Sequence, residues 1–171
     1  MASEVPGFDR LNSEYRQTEF DALQNPGLGA VLLERFTAKF TSFSGGQAPS
    51  LLYAMPVLPI VFNASAVESL YRRQFAGGLY RALAEDRTIT LGLHRRMVVM
   101  SDQTFEALNV AFASGLLALD PSLGVLTASG DATPVGESEA ILKMLKTSER
   151  LGRWFSELSL HELAVLLDIT F

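Results

Sequence analysis

The sequence contains no cysteine among its 171 residues. Disulfides, thiolate nucleophiles and cysteine-based zinc sites are therefore excluded. Histidine is nearly as scarce, with only His94 and His161. His94 precedes Arg95-Arg96, and His161 lies within Leu160-His161-Glu162-Leu163. Neither spacing gathers metal ligands, and neither pairs a nucleophile with a base and an orienting acid. The carboxylates Glu85-Asp86 and Glu137/Glu139 fall in expected loops or caps, where compensation of helix N-terminal charge explains them. The sequence has no Walker-type Gly-Lys-Ser/Thr motif and no triple-glycine dinucleotide motif, so Gly77-Gly78 does not read as a phosphate loop. The expectation is a chain that is not an enzyme: no catalytic residue, no cofactor site and no metal site.

A long uninterrupted apolar run is also missing. The longest, residues 51–62, is broken by Pro56 and Pro59 and is too short to span a bilayer. The first residues include Glu4 and Asp9 without an apolar core, which does not suit a secretory signal. A cytoplasmic protein is expected. Yet the hydrophobic fraction is 48%, high for a chain with no span. Apolar surface covered by other chains is the implied outlet. Cations are unevenly spread. None occurs between Met97 and Leu142, a stretch holding Asp102, Glu106, Asp120, Asp131, Glu137 and Glu139. With a net charge of −5, this argues against a free-standing nucleic-acid binder.

The elements read mainly as helices. Residues 13–23 form a short helix after a loosely ordered residues 1–17. Asn25-Pro26 starts a core helix, asparagine as N-cap and proline at the first position, with Leu28, Leu32, Phe36, Phe40 and Phe43 on one side. Ser44-Gly45-Gly46 ends it. Residues 50–55 form a short helix, and the prolines then predict an extended buried segment. Ser65-Ala66-Val67-Glu68 fits a capping box that starts a helix to about Phe75; Gly77-Gly78 interrupts, and residues 79–84 continue. Residues 90–100 form a helix with Leu93, Met97 and Met100 on one face. Ser101-Asp102 caps the next, running to Ala113, with Phe105, Leu108 and Phe112 as its buried face. Two β-like runs flank Asp120-Pro121-Ser122-Leu123-Gly124 as a hairpin. Helix, helix, hairpin is the order of a winged helix. As a DNA reader it is poor, because residues 102–113 offer Gln103 and Asn109 but no cation. A winged helix used for protein contact is the favoured reading, and a hairpin in another helical fold is the alternative.

Residues 131–136 are a linker. Residues 138–156 form a long helix with an apolar band of Ile141, Leu142, Leu145, Leu151, Phe155 and Leu158. Ser148 and Gly152, small and one turn apart, mark a close approach by another element. Lys143, Lys146, Arg150 and Arg153 form a narrow basic stripe, either a solvated face or a docking ridge. Ser159-Leu160-His161-Glu162 is a capping box, stapled by Leu158 and Leu163. It starts a helix over residues 160–167, and Ile169-Thr170-Phe171 has the character of a short strand.

Together these readings predict one mainly α domain with a small β-hairpin. Its helical core is residues 18–136, winged-helix-like over 88–129, followed by a C-terminal helix pair over 137–171. The segments NPGLGAVLLERF, LLYAMPVLPIVF, AFASGLLAL and above all RLGRWFSELSLHELAVLLDITF, in this order, resemble the middle component of three-component ABC systems. Lamassu-type antiphage defence is an example of such a system. The resemblance covers about residues 20–171. It implies a small non-catalytic subunit beside an SMC/Rad50-like ABC ATPase and an effector, often a nuclease. The subunit would hold the effector inactive until ATP- and DNA-driven movement of the ATPase releases it. DNA would be met through the complex. The expected partner-binding residues are Lys146, Arg150, Arg153, Trp154 and Phe155, although Trp154 also reads as a core residue. The competing class is a winged-helix DNA-binding regulator.

Overall fold

The computed structural model describes residues 15, 18, 19, 21, 24–72, 78–130, 132, 133, 136 and 138–171. The loosely ordered start expected for residues 1–17 lies almost wholly outside them. Tyr15, Thr18, Glu19 and Asp21 are helical, in line with a short helix over 13–23. The chain is mainly helical with one two-stranded antiparallel sheet.

Helix α1, Pro26–Phe43, is the axis of the fold. Asn25 Oδ1 accepts from the Leu28 N–H at 2.8 Å, and Pro26 takes a position whose missing N–H has no helical acceptor. Gly45 and Gly46 have φ of 73° and 92° and turn the chain out of the helix. Buried residues run nearly all round α1, from Leu28 to Phe40, because α7 and α8 cover it from two sides. Phe43 departs from the expected face and is 49% exposed.

Helices α2 (Leu51–Ala54) and α3 (Val57–Val61) correct the extended segment expected after Met55. A new helix starts after Pro56, so Pro59 falls in its first turn, where an absent N–H breaks no helical bond. Helix α4, Ala64–Tyr71, is capped by Asn63, whose Oδ1 accepts from the Ala66 N–H at 2.9 Å, not by the Ser65 box. The helix start is thus earlier by two residues, and asparagine takes the cap readily. An extension towards Phe75 and the break at Gly77 lie outside the described residues. Helix α5 spans Gly78–Glu85, and a 3-10 turn follows at Arg87–Ile89.

Helices α6 (Leu93–Val99) and α7 (Ser101–Ala113) meet at Met100. Ser101 does not cap α7: it lies inside the helix, and its hydroxyl donates back to the Val98 carbonyl at 2.9 Å. The buried face of α7 is Thr104, Ala107, Leu108 and Ala111. The expected Phe105 is instead 48% exposed, and Phe112 is half-buried. Close packing on α1 sets this register, since a Cβ on Gly29 would lie 2.8 Å from Ala107 Cβ. Small side chains let the two backbones approach there; a phenylalanine would hold them apart.

Strands β1 (Leu117–Asp120) and β2 (Val125–Ala128) form the expected hairpin, with Leu117 opposite Ala128 and Asp120 opposite Val125. Asp120 Oδ1 accepts from the N–H groups of Ser122 and Leu123, closing the turn. Backbone bonds Leu51 N–H to Gly124 O and Leu126 N–H to Pro49 O tie β2 to the start of α2. The next connection is held from α1: buried Glu34 accepts from the Gly130 N–H at 2.8 Å, and Arg35 donates to the Ala132 carbonyl at 2.8 Å.

Helix α8, Glu139–Phe155, is capped by Ser138 and crosses α1 at the small residues singled out from sequence. The Ser148 hydroxyl donates to the Leu32 carbonyl at 2.6 Å. A Cβ on Gly152 would lie 2.4 Å from the Phe36 carbonyl oxygen. Leu142, expected in the apolar band, is 46% exposed. Helix α9, Leu160–Leu167, begins with the Ser159/Glu162 capping box. The last residues are not a strand. Asp168 takes a left-handed φ of 53°, and the Ile169 N–H reaches back to the Ala164 carbonyl at 3.0 Å, closing α9 in a Schellman-type turn.

Candidate partner surface

The five residues expected to meet a partner lie on α8 but not on one face. Trp154 and Phe155 are 2% and 0% exposed. Phe155 packs edge-on against Phe36 at 5.6 Å between ring centroids. Both belong to the core that spans Leu28 to Ile169, so neither offers a side chain to a partner in this conformation.

The three cations face outward to different degrees, and all have intramolecular roles. Arg150 is half-buried and donates from Nη1 to the Leu70 and Tyr71 carbonyls at the end of α4. A cation at a helix C-terminus satisfies orphan carbonyls and meets the negative end of the dipole. Burial pulls its pKa below the usual arginine value, with Tyr71 opposing. Lys146 is exposed, its Nζ 5.8 Å from the centre of the Tyr71 ring. Arg153 is half-buried and stacks 4.7 Å from the exposed Phe43 ring. Lys143, the fourth member of the stripe, bridges Glu139 at 2.8 Å and Glu68 at 3.0 Å. These bonds raise its pKa. For Glu68, burial pushes the pKa up, but the bonds from Lys143 and Arg72 outweigh it and the net shift is down.

The stripe therefore seams α8 to α4 and to the end of α1. What it leaves for another molecule is a narrow ridge: the Lys146 ammonium, the outer edge of Arg153, and the rings of Tyr71 and Phe43. Other exposed apolar side chains were not anticipated. Leu91, Val98, Val99 and Phe105 lie on and beside α6 and α7. For Phe105, the signal was the Thr104-Ala107-Leu108-Ala111 spacing, a small-residue face at helical period that outranks the larger Phe105/Phe112 face once α1 is close.

His94 and His161 are both exposed. His94 Nδ1 accepts from the Thr170 backbone N–H at 3.4 Å, which ties the last residues to α6. Among the described residues no three His, Cys, Asp or Glu side chains group so as to hold a metal ion, and no single helix is long and apolar enough to cross a membrane.

The model of the ABC-three component (ABC-3C) system Middle Component 3 family matches residues 13–171, nearly the whole chain, including both close crossings of α1 and the capped C-terminal helix. The chain belongs to this family. As a middle component it works with the other components of such a system. No curated protein and no solved structure matches it.

Proposed function

We propose that the chain is a non-catalytic accessory subunit, cytoplasmic and built as one domain. In this reading it links an SMC/Rad50-like ABC ATPase to an effector, a nuclease in the simplest case, in a Lamassu-like antiviral defence complex. The observation that carries this is family membership across residues 13–171. The disposition of the polar groups supports it. Several buried or half-buried charges serve the backbone: Glu34 holds Gly130, Arg96 reaches the Pro59, Ile89 and Leu91 carbonyls, and Arg150 closes α4. Such groups stiffen a scaffold. A stiff scaffold with exposed apolar side chains suits a part whose contacts change when a neighbour moves.

The ATPase-facing surface in this proposal is the α8 ridge. Lys146, Arg150 and Arg153 present its charge, and Trp154 and Phe155 anchor it from beneath. The partner supplies carboxylates, because the ridge supplies cations beside aromatic rings. Lys146→Glu with Arg153→Glu, which leaves the Arg150 cap intact, lowers co-purification with the ATPase component at least about tenfold, while loss of the Phe43 and Tyr71 ring contacts lowers thermal stability only slightly and the chain stays folded. Unchanged binding removes the ridge from the account. The winged-helix DNA reader is disfavoured, because the outer side of α7 carries Asp102 and Glu106 without a cation. A salt-steep gel shift by the isolated chain would restore it.

A further inference from the structure

The corner between α6 and α7 carries apolar surface that the chain leaves uncovered. Leu91, Val98 and Val99 are 75%, 61% and 73% exposed. Leu93 and Met97, on the other side of α6, are in the core. The short helix is thus anchored by one face and presents the other; Phe105, in the second turn of α7, is exposed as well.

The charges at its two ends are a second observation. Several other cations have neighbours: Arg72 binds Glu68, Arg81 binds Glu85, and Arg96 and Arg150 bind carbonyls. Arg95 is exposed and makes no hydrogen bond or ion pair with any described residue, and the same holds for the side chains of Asp102 and Glu106. Arg95 stands one helical turn before Val99 and so shares its side of α6. Asp102 and Glu106 open the exposed side of α7 just beyond. Along the chain the patch reads cation, apolar, anion.

A surface that covers this patch must offer apolar side chains between charges in the reverse order. A second copy of the chain does so when turned about a two-fold axis over Val98 and Val99. In such a contact each residue receives what it gives, so one arrangement forms both sets of ion pairs. We infer that the α6–α7 corner is a self-association surface, where two copies pack Val98 and Val99 together between reciprocal pairings of Arg95 with Asp102 and Glu106. The patch is small beside a standard interface, so the dimer is weak and concentration-dependent. This inference does not rest on the ATPase partnership. A chain that binds the ATPase but never self-associates overturns the first and leaves the second.

Sedimentation equilibrium of the full chain, from about 5 to about 500 µM at low salt, tests it. The expected result is a weight-average mass that climbs towards twice that of the chain. Val99→Asp raises the dimer dissociation constant about tenfold or more. Arg95→Asp alone and Asp102→Arg alone each weaken association several-fold. The two together in one chain recover part of it, because the swap restores the pairing of positions 95 and 102 while Glu106 now opposes it. All three positions are exposed, and circular dichroism checks that the variants fold. A wild-type chain that stays monomeric throughout overturns the inference, and so does a dimer indifferent to Val99→Asp and to both single charge reversals.

Discussion

Replacing Gly152 with alanine probes the α1–α8 crossing on which the core is built. The added methyl would sit 2.4 Å from the Phe36 carbonyl oxygen and 3.0 Å from both Lys39 Cβ and the Phe40 nitrogen. A carbon–oxygen contact tolerates about 3.3 Å, so the helices must part by nearly ~1 Å at this point. Two of the three obstructing atoms are backbone and belong to a helix packed on both sides, so no side-chain rotation relieves the contact. Parting also strains the Ser148–Leu32 hydrogen bond, one turn away on the same seam. Overpacking of this kind costs about 1–3 kcal/mol, at the upper end where backbone is struck. Alanine returns roughly 1 kcal/mol through helix propensity. The expected net loss is about 2 kcal/mol, or a fall in Tm of about 4–8 °C for a chain of this size. Thermal unfolding followed at 222 nm reads it directly. The sign is the test: without the close approach, alanine would raise Tm, and an unchanged or higher Tm refutes the crossing.

Two further substitutions address single features. Arg150→Met keeps most of the side-chain volume but removes both carbonyl contacts at the end of α4; net of the desolvation relieved, urea unfolding should show a loss of about 1–2 kcal/mol. Arg150→Lys should recover only part of it, because an ammonium lacks the planar fork; full recovery would make the contact one of charge alone. Asp168→Gly should raise Tm by about 1–4 °C, since glycine removes the steric cost of the left-handed φ at the end of α9; a fall would mean that the Asp168 side chain contributes something the geometry does not show.

Local chemistry made much of the fold legible. Asn25 and the Ser159/Glu162 pair cap helices as their side chains dictate, and the hairpin closes on its Asp-Pro-Ser-Leu-Gly turn. The crossing at Ser148 and Gly152 was legible for the same reason: small residues one turn apart inside an apolar band have little use but close approach. Phe105, Phe43 and Leu142 were assigned inward because they are large and apolar, yet tight α1–α7 packing selects alanine and glycine at the contact and turns Phe105 out. Proline suppressed the expectation of α3, although a helix start tolerates it. The basic stripe on α8 was legible as a stripe. Its internal partners, the carbonyls of Leu70 and Tyr71, lie 80 and 79 residues away in the chain, and no local pattern announces them. The free charges flanking Val98 and Val99 were invisible for a related reason. A charge counts as unused only once every other charge has been placed.

The most direct test of the proposed function is co-expression of the chain with the ABC ATPase of its own system, followed by purification through a tag on the ATPase. The account predicts a stable complex containing the chain, weakened by Lys146→Glu with Arg153→Glu. Recovery of the ATPase alone, with the folded chain left in the flow-through and ATP turnover the same with and without it, would contradict the account.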